Sequence, residues 1–86
     1  MDDFETRVLD TATMLAASCR EWEILVAGDG SVTEPDAERL LGYSDRALKQ
    51  QRTEGRCPIP RRQVGNRWRY RLRDLAVMIE SRFDDS

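Results

Sequence analysis

Histidine is absent from this 86-residue chain. That excludes histidine-dependent nucleophilic triads, imidazole metal ligands and imidazole acid–base catalysis near neutral pH. Cysteine occurs only at Cys19 and Cys57, too few and too far apart for a disulfide scaffold, so a reducing cytoplasm is the expected compartment. No apolar run approaches the roughly 20 residues of a membrane span, which argues against an integral membrane protein. Residues 1–5 are acidic and lack the basic segment and apolar core of a secretory signal. There is no Gly-rich phosphate loop, no internal repeat and no low-complexity tract. Glu21 and Glu23 lie two apart on an expected helix and cannot face each other as an acid–base pair. No catalytic residue, metal ligand or cofactor is expected.

What the chain does have is charge, sorted by position. The formal net charge of -2 conceals three blocks. Residues 1–38 carry two basic and ten acidic residues, a balance of -8. Residues 39–73 carry eleven basic and two acidic residues, a balance of +9. The remainder stands at -3. Ten of the eleven basic residues are arginine, the side chain best suited to bidentate phosphate and guanine contacts. Such segregation points to a polyanion-binding stretch inside an otherwise acidic protein.

Hydrophobic spacing predicts a mainly α fold. Phe4, Val8, Ala12, Leu15, Cys19, Trp22 and Val26 form one stripe at helical period, so a helix is expected over 4–27, ended by Gly28-Asp29-Gly30. Thr33 reads as the N-cap of a short second helix, with Pro35 in its first turn and Gly42 after its end. Ser44 reads as the cap of a third helix running to about Thr53, with Ala47 and Leu48 facing inward. Pro58 and Pro60 exclude helix from the connection that follows. Residues 61–64 and 67–71 flank Gly65-Asn66 and read as a β-hairpin, with Trp68 and Tyr70 on one face and Arg67, Arg69 and Arg71 on the other. Leu75, Met78, Ile79 and Phe83 predict a last helix over 72–83.

Two short helices at a tight corner, a basic hairpin and a closing helix make the layout of a winged helix-turn-helix with a two-stranded wing, preceded by an amphipathic helix. The expected organisation is an acidic helical segment over 1–30 and the winged domain over 31–86. In that layout the third helix fits a DNA major groove about 12 Å wide while the second crosses the backbone. Ser44, Arg46, Lys49, Gln50 and Arg52 are the candidate contacts of that helix. Arg61, Arg62, Asn66, Arg67, Arg69 and Arg71 are those of the wing, aimed at phosphates or the minor groove.

Residues 32–44, Val-Thr-Glu-Pro-Asp-Ala-Glu-Arg-Leu-Leu-Gly-Tyr-Ser, resemble the start of the small MerR-like winged-helix domains of excisionases and AlpA-type phage regulators. Residues 64–75, Val-Gly-Asn-Arg-Trp-Arg-Tyr-Arg-Leu-Arg-Asp-Leu, are similar to their wing and following helix. The likeness implies a double-stranded DNA-binding module of phage or mobile-element type, often oligomeric on DNA. It serves transcriptional regulators, excision factors and terminase small subunits alike. The chain departs from that pattern at Gln51, where the family places an aromatic, and in its proline-rich wing lead.

The stripe of the first helix, through Leu15, Cys19, Trp22 and Val26, predicts a homodimer. The acidic N-terminal helix also offers a surface for a host or phage protein, as in a small phage inhibitor of a host system.

Overall fold

The computed structural model describes residues 3–84; Met1, Asp2, Asp85 and Ser86 lie outside it. Its elements run α1 (Phe4–Glu21), β1 (Ser31–Thr33), α2 (Glu34–Leu41), α3 (Ala47–Thr53), β2 (Arg62–Val64), β3 (Arg67–Arg71) and α4 (Leu72–Asp84). The fold is α-rich, with one antiparallel sheet of strand order β1-β3-β2. No helix among the described residues is long and apolar enough to cross a membrane.

Helix α1 buries Val8, Leu15 and Cys19 in the same core as Leu48, Ile59, Tyr70 and Leu75. It packs on α4. Between them lies Glu80, a buried carboxylate that accepts from Arg7 Nε at 3.1 Å and from the Thr11 hydroxyl at 2.7 Å. The helix stops at Glu21, six residues before its expected end at Ala27. Glu23 takes the left-handed conformation (φ 58°). The Ile24 and Glu23 amides then donate back to the Cys19 and Arg20 carbonyls. This is the Schellman arrangement, in which the apolar residue after the turn folds onto the helix. Burial of Ile24 therefore draws the chain off the helical path. Trp22 (42% exposed) and Val26 (36% exposed) leave the stripe for the surface.

The next stretch holds a strand that hydrophobic spacing did not mark. The Asp29 carboxylate accepts the Ser31 amide at 3.0 Å, Gly30 turns at φ 81°, and β1 then pairs with β3. Val32 lies opposite Tyr70, both fully buried. In α2, Thr33 is extended at the N-cap as expected, but its hydroxyl donates to Asp36 Oδ2 at 3.1 Å and not to backbone. Gly42 closes the helix at φ 74°.

Ser44 does not cap α3. The N-cap is Arg46, held left-handed at φ 69°. The capping carboxylate comes from α2: Glu38 accepts the Arg46 amide at 3.2 Å and the Leu48 amide at 2.8 Å. One buried side chain thus satisfies two otherwise unpaired amides of α3 and sets the corner between the helices. The hairpin follows the expected register, with Gly65 at φ 61° and Val64 opposite Arg67, Gln63 opposite Trp68 and Arg62 opposite Arg69. Phe83, spaced for burial, is instead 70% exposed.

Replacing Glu38 by alanine removes both cap bonds and should lower stability by about 2 kcal/mol in urea unfolding. Glu38→Gln, which keeps an acceptor, should recover part of that loss. Equal stability of the alanine variant and the parent would contradict the capping role.

Candidate nucleic-acid interface

The interface is organised by Glu34, the first residue of α2. Its carboxylate accepts Arg52 Nε and Nη2, both at 3.0 Å, and the Tyr70 hydroxyl at 2.6 Å. Arg52 belongs to α3 and Tyr70 to β3, so one carboxylate joins three elements. Arg52 also lies over the Trp68 ring at 4.8 Å, and Arg61 lies near the same ring at 5.5 Å. Burial alone would raise the Glu34 pKa. The Arg52 and Tyr70 hydrogen bonds and the guanidinium charge outweigh it, and the carboxyl stays below its usual 4.5. Burial, and then the bond to Glu34, push the Tyr70 phenol upward, so it remains a proton donor.

This clamp sets α3 beside the hairpin turn. Between them runs an open groove of about 490 Å³, bounded by Thr33 and Glu34 of the β1–α2 junction, Lys49 and Arg52 of α3, and Asn66 and Arg67 of the turn. Arg46, Lys49, Gln50 and Thr53 share the adjoining outer surface of α3. Lys49, Gln50 and Arg46 are all exposed, and Ser44 is exposed at the corner. Gln50 donates to Glu54 at 3.3 Å.

The eleven basic residues of 39–73 do not form one ribbon. Arg52 is tied to Glu34, Arg39 to Asp36, Arg56 to Glu54, Arg71 to Asp74 and Arg73 to Glu5. Arg61 donates to the Ile59 carbonyl. Arg69 reaches diagonally across the sheet, Nε to Ser31 Oγ at 2.9 Å and Nη2 to the Ser31 carbonyl at 3.0 Å. Its first task is to fasten β1 to β3. Arg46, Lys49, Arg62 and Arg67 make no side-chain hydrogen bond or ion pair within the described residues. The groove brings together Lys49, Arg52, Asn66 and Arg67, with Arg46 beside it on α3. Arg61, Arg62, Arg69 and Arg71 surround a separate depression that also holds Ser31.

Of the residues expected at a dimer seam, Leu15 and Cys19 are buried inside this protomer, where a second copy cannot reach them. Trp22 and Val26 are at the surface, with Arg39 over the Trp22 ring at 5.4 Å. The buried glutamates were not singled out by sequence, yet Glu34 and Glu38 share the inward stripe of Ala37 and Leu41. A carboxylate on an apolar helical stripe is the signal that could have found them.

No family model, curated protein or solved structure matches the chain.

Two outcomes test that geometry. A carboxyl with a lowered folded pKa contributes stability that is complete above its unfolded value and is lost as pH falls through the folded one. Unfolding free energy should thus drop below about pH 4.5, and Glu34→Gln should flatten part of that drop while costing about 3 kcal/mol at pH 7. An unchanged pH profile in the variant would remove Glu34 from this role. Separately, Arg69→Ala should lower Tm by about 5 °C or more, since it frees the β1 edge, whereas Arg67→Ala should leave Tm unchanged.

Proposed function

We propose that the chain is a double-stranded DNA-binding protein built as a winged helix-turn-helix, with α2 and α3 as the helix pair and β2–β3 as the wing. The observation that carries this reading is the shared groove. Lys49 on the third helix and Asn66–Arg67 at the hairpin turn bound one concave surface, so a single polyanion can touch both. Helix α3 has seven residues, about 10 Å of rod, short enough to enter a major groove end-on. Arg46 and Lys49 match guanine acceptors, and Gln50 matches adenine. Arg67 is placed for a phosphate or the neighbouring minor groove. Arg52 and Trp68 form the support behind these contacts. The role is that of a small regulator or excisionase-like factor, not of an enzyme.

Arg46 gives this reading a second support. A left-handed backbone disfavours any side chain at the position, and glycine is the residue that fits it. An arginine there places a guanidinium at the start of α3, at a cost in stability. Strain of this kind gathers where function requires it.

On a random-sequence duplex Arg46, Lys49 and Arg67 each neutralise a phosphate, and log affinity should fall with log salt at a slope near -3. Anisotropy titrations on a random-sequence duplex pool at several salt concentrations measure it. Lys49→Ala or Arg67→Ala should each reduce the slope by about 1. A slope indifferent to both variants, or no saturable binding at low salt, would overturn the proposal. Arg46→Gly should weaken binding while stabilising the fold by roughly 0.5–1 kcal/mol. A variant that gains stability and keeps full affinity would show that the strain serves no DNA contact.

A further inference from the structure

The hairpin has a second face, which meets the groove only at Thr33 and Arg67. Residues directly opposite in an antiparallel sheet share a face. The register therefore puts Ser31, Thr33, Arg62, Val64, Arg67, Arg69 and Arg71 on the side away from Tyr70 and Trp68. Two adjoining depressions lie on that side. One, of about 480 Å³, is bounded by Leu25, Ala27 and Val64. The other, of about 300 Å³, is bounded by Ser31, Arg61 and Arg71. Asp29, Arg62 and Arg69 line both. One end is apolar and uncovered, with Leu25 83% exposed and Val64 45% exposed. The other end is cationic.

We propose that this outer sheet face docks an extended acidic peptide whose carboxylates alternate with apolar side chains.

Three observations favour that occupant. Arg62 and Arg69 stand directly opposite each other across the β2–β3 pair. Arg69 turns toward Ser31 of β1, which leaves Arg62 as the cation of this pair without a side-chain partner among the described residues, and a carboxylate supplies the charge-assisted bonds it lacks. Next to them, Leu25 and Val64 offer apolar contact that a phosphate backbone does not use. Asp29 and Asp74 also sit among the arginines. They oppose a continuous run of phosphates but leave room for spaced carboxylates. The β2 strand is moreover an edge of the sheet, with all three residues exposed. Edge strands accept an extended peptide through backbone hydrogen bonds, with alternate side chains reading the face. Arg67 at the wing tip and Arg71 at the sheet base are four residues apart, about 13 Å along the strand. The peptide surface is thus centred away from the DNA groove, and a DNA-bound molecule presents it outward.

Amide chemical shifts of the ¹⁵N-labelled full chain provide the test. The probe is a capped octapeptide alternating glutamate and leucine, compared with one in which lysine replaces glutamate. The acidic peptide should shift Leu25, Arg62–Val64 and Arg69 saturably, with Kd below about 1 mM. Arg62→Glu should weaken it at least tenfold, and Leu25→Ser several-fold. Both positions are exposed, so the spectrum reports directly that each variant folds. Leu25→Ser should leave duplex affinity unchanged, and Lys49→Ala should leave peptide affinity unchanged, which separates this surface from the DNA reading. Equal binding of the lysine peptide, shifts elsewhere, or no shift at about 1 mM would overturn the proposal. A duplex that displaces the peptide while shifting Leu25 and Arg62 would overturn it too, assigning the face to nucleic acid.

Discussion

A single carboxylate, that of Glu34, decides how the two halves of the candidate interface stand. It is nearly removed from water, and it receives three hydrogen bonds from an arginine of α3 and a tyrosine of β3. A buried charge is tolerable only when its lone pairs are met in this way. Because the donors come from two different elements, satisfying the charge also fixes the distance between helix and hairpin. Arg52 then carries the constraint outward to Trp68. The isolated hairpin would be marginal in water. Here it is anchored from below by Tyr70, from the side by Arg52 and along its edge by β1.

The same device recurs twice. Glu38 caps α3 from α2, and Glu80 ties α4 to α1 through Arg7 and Thr11. Among the described residues no buried side-chain polar atom lacks a partner. The division of charge along the chain therefore has two uses. Part of the acidic block is internal cement, and much of the basic block is spent on it or on neighbouring surface acids. What is left over, Arg46, Lys49, Arg62 and Arg67, is a smaller cationic set than the +9 balance of residues 39–73 suggests. It is divided between α3, which carries Arg46 and Lys49, and the hairpin, which carries Arg62 and Arg67.

The parts legible in the sequence were those with a local signature. Gly65-Asn66 between alternating runs specified the hairpin, and Gly42 marked the end of α2. Leu48 stood out as the one large apolar residue of α3. The parts not legible depend on partners far apart in the chain. Arg52 and Tyr70 lie 18 and 36 residues from Glu34, and no period connects them. β1 was missed because three residues carry too little pattern, and its strand character comes from pairing with β3. The end of α1 was misplaced because Trp22 and Val26 continue the helical period, while burial of Ile24 at a left-handed Glu23 overrides it. Ser44 is a good cap by composition, but Glu38 already occupies the amides it would have served. In sequence Arg67, beside the turn, stood out among the hairpin arginines, but nothing there separated a structural arginine from a free one; the reach of Arg69 to Ser31 does.

The central claim is that α3 and the hairpin turn form one DNA-facing surface. Its most direct test is the map of backbone amide shifts when a random-sequence duplex pool is added to the ¹⁵N-labelled chain at low salt. Shifts should concentrate at residues 44–50 and at Asn66 and Arg67 together, with α1 unaffected. Shifts confined to the acidic helix, or to only one of the two groove walls, would contradict it.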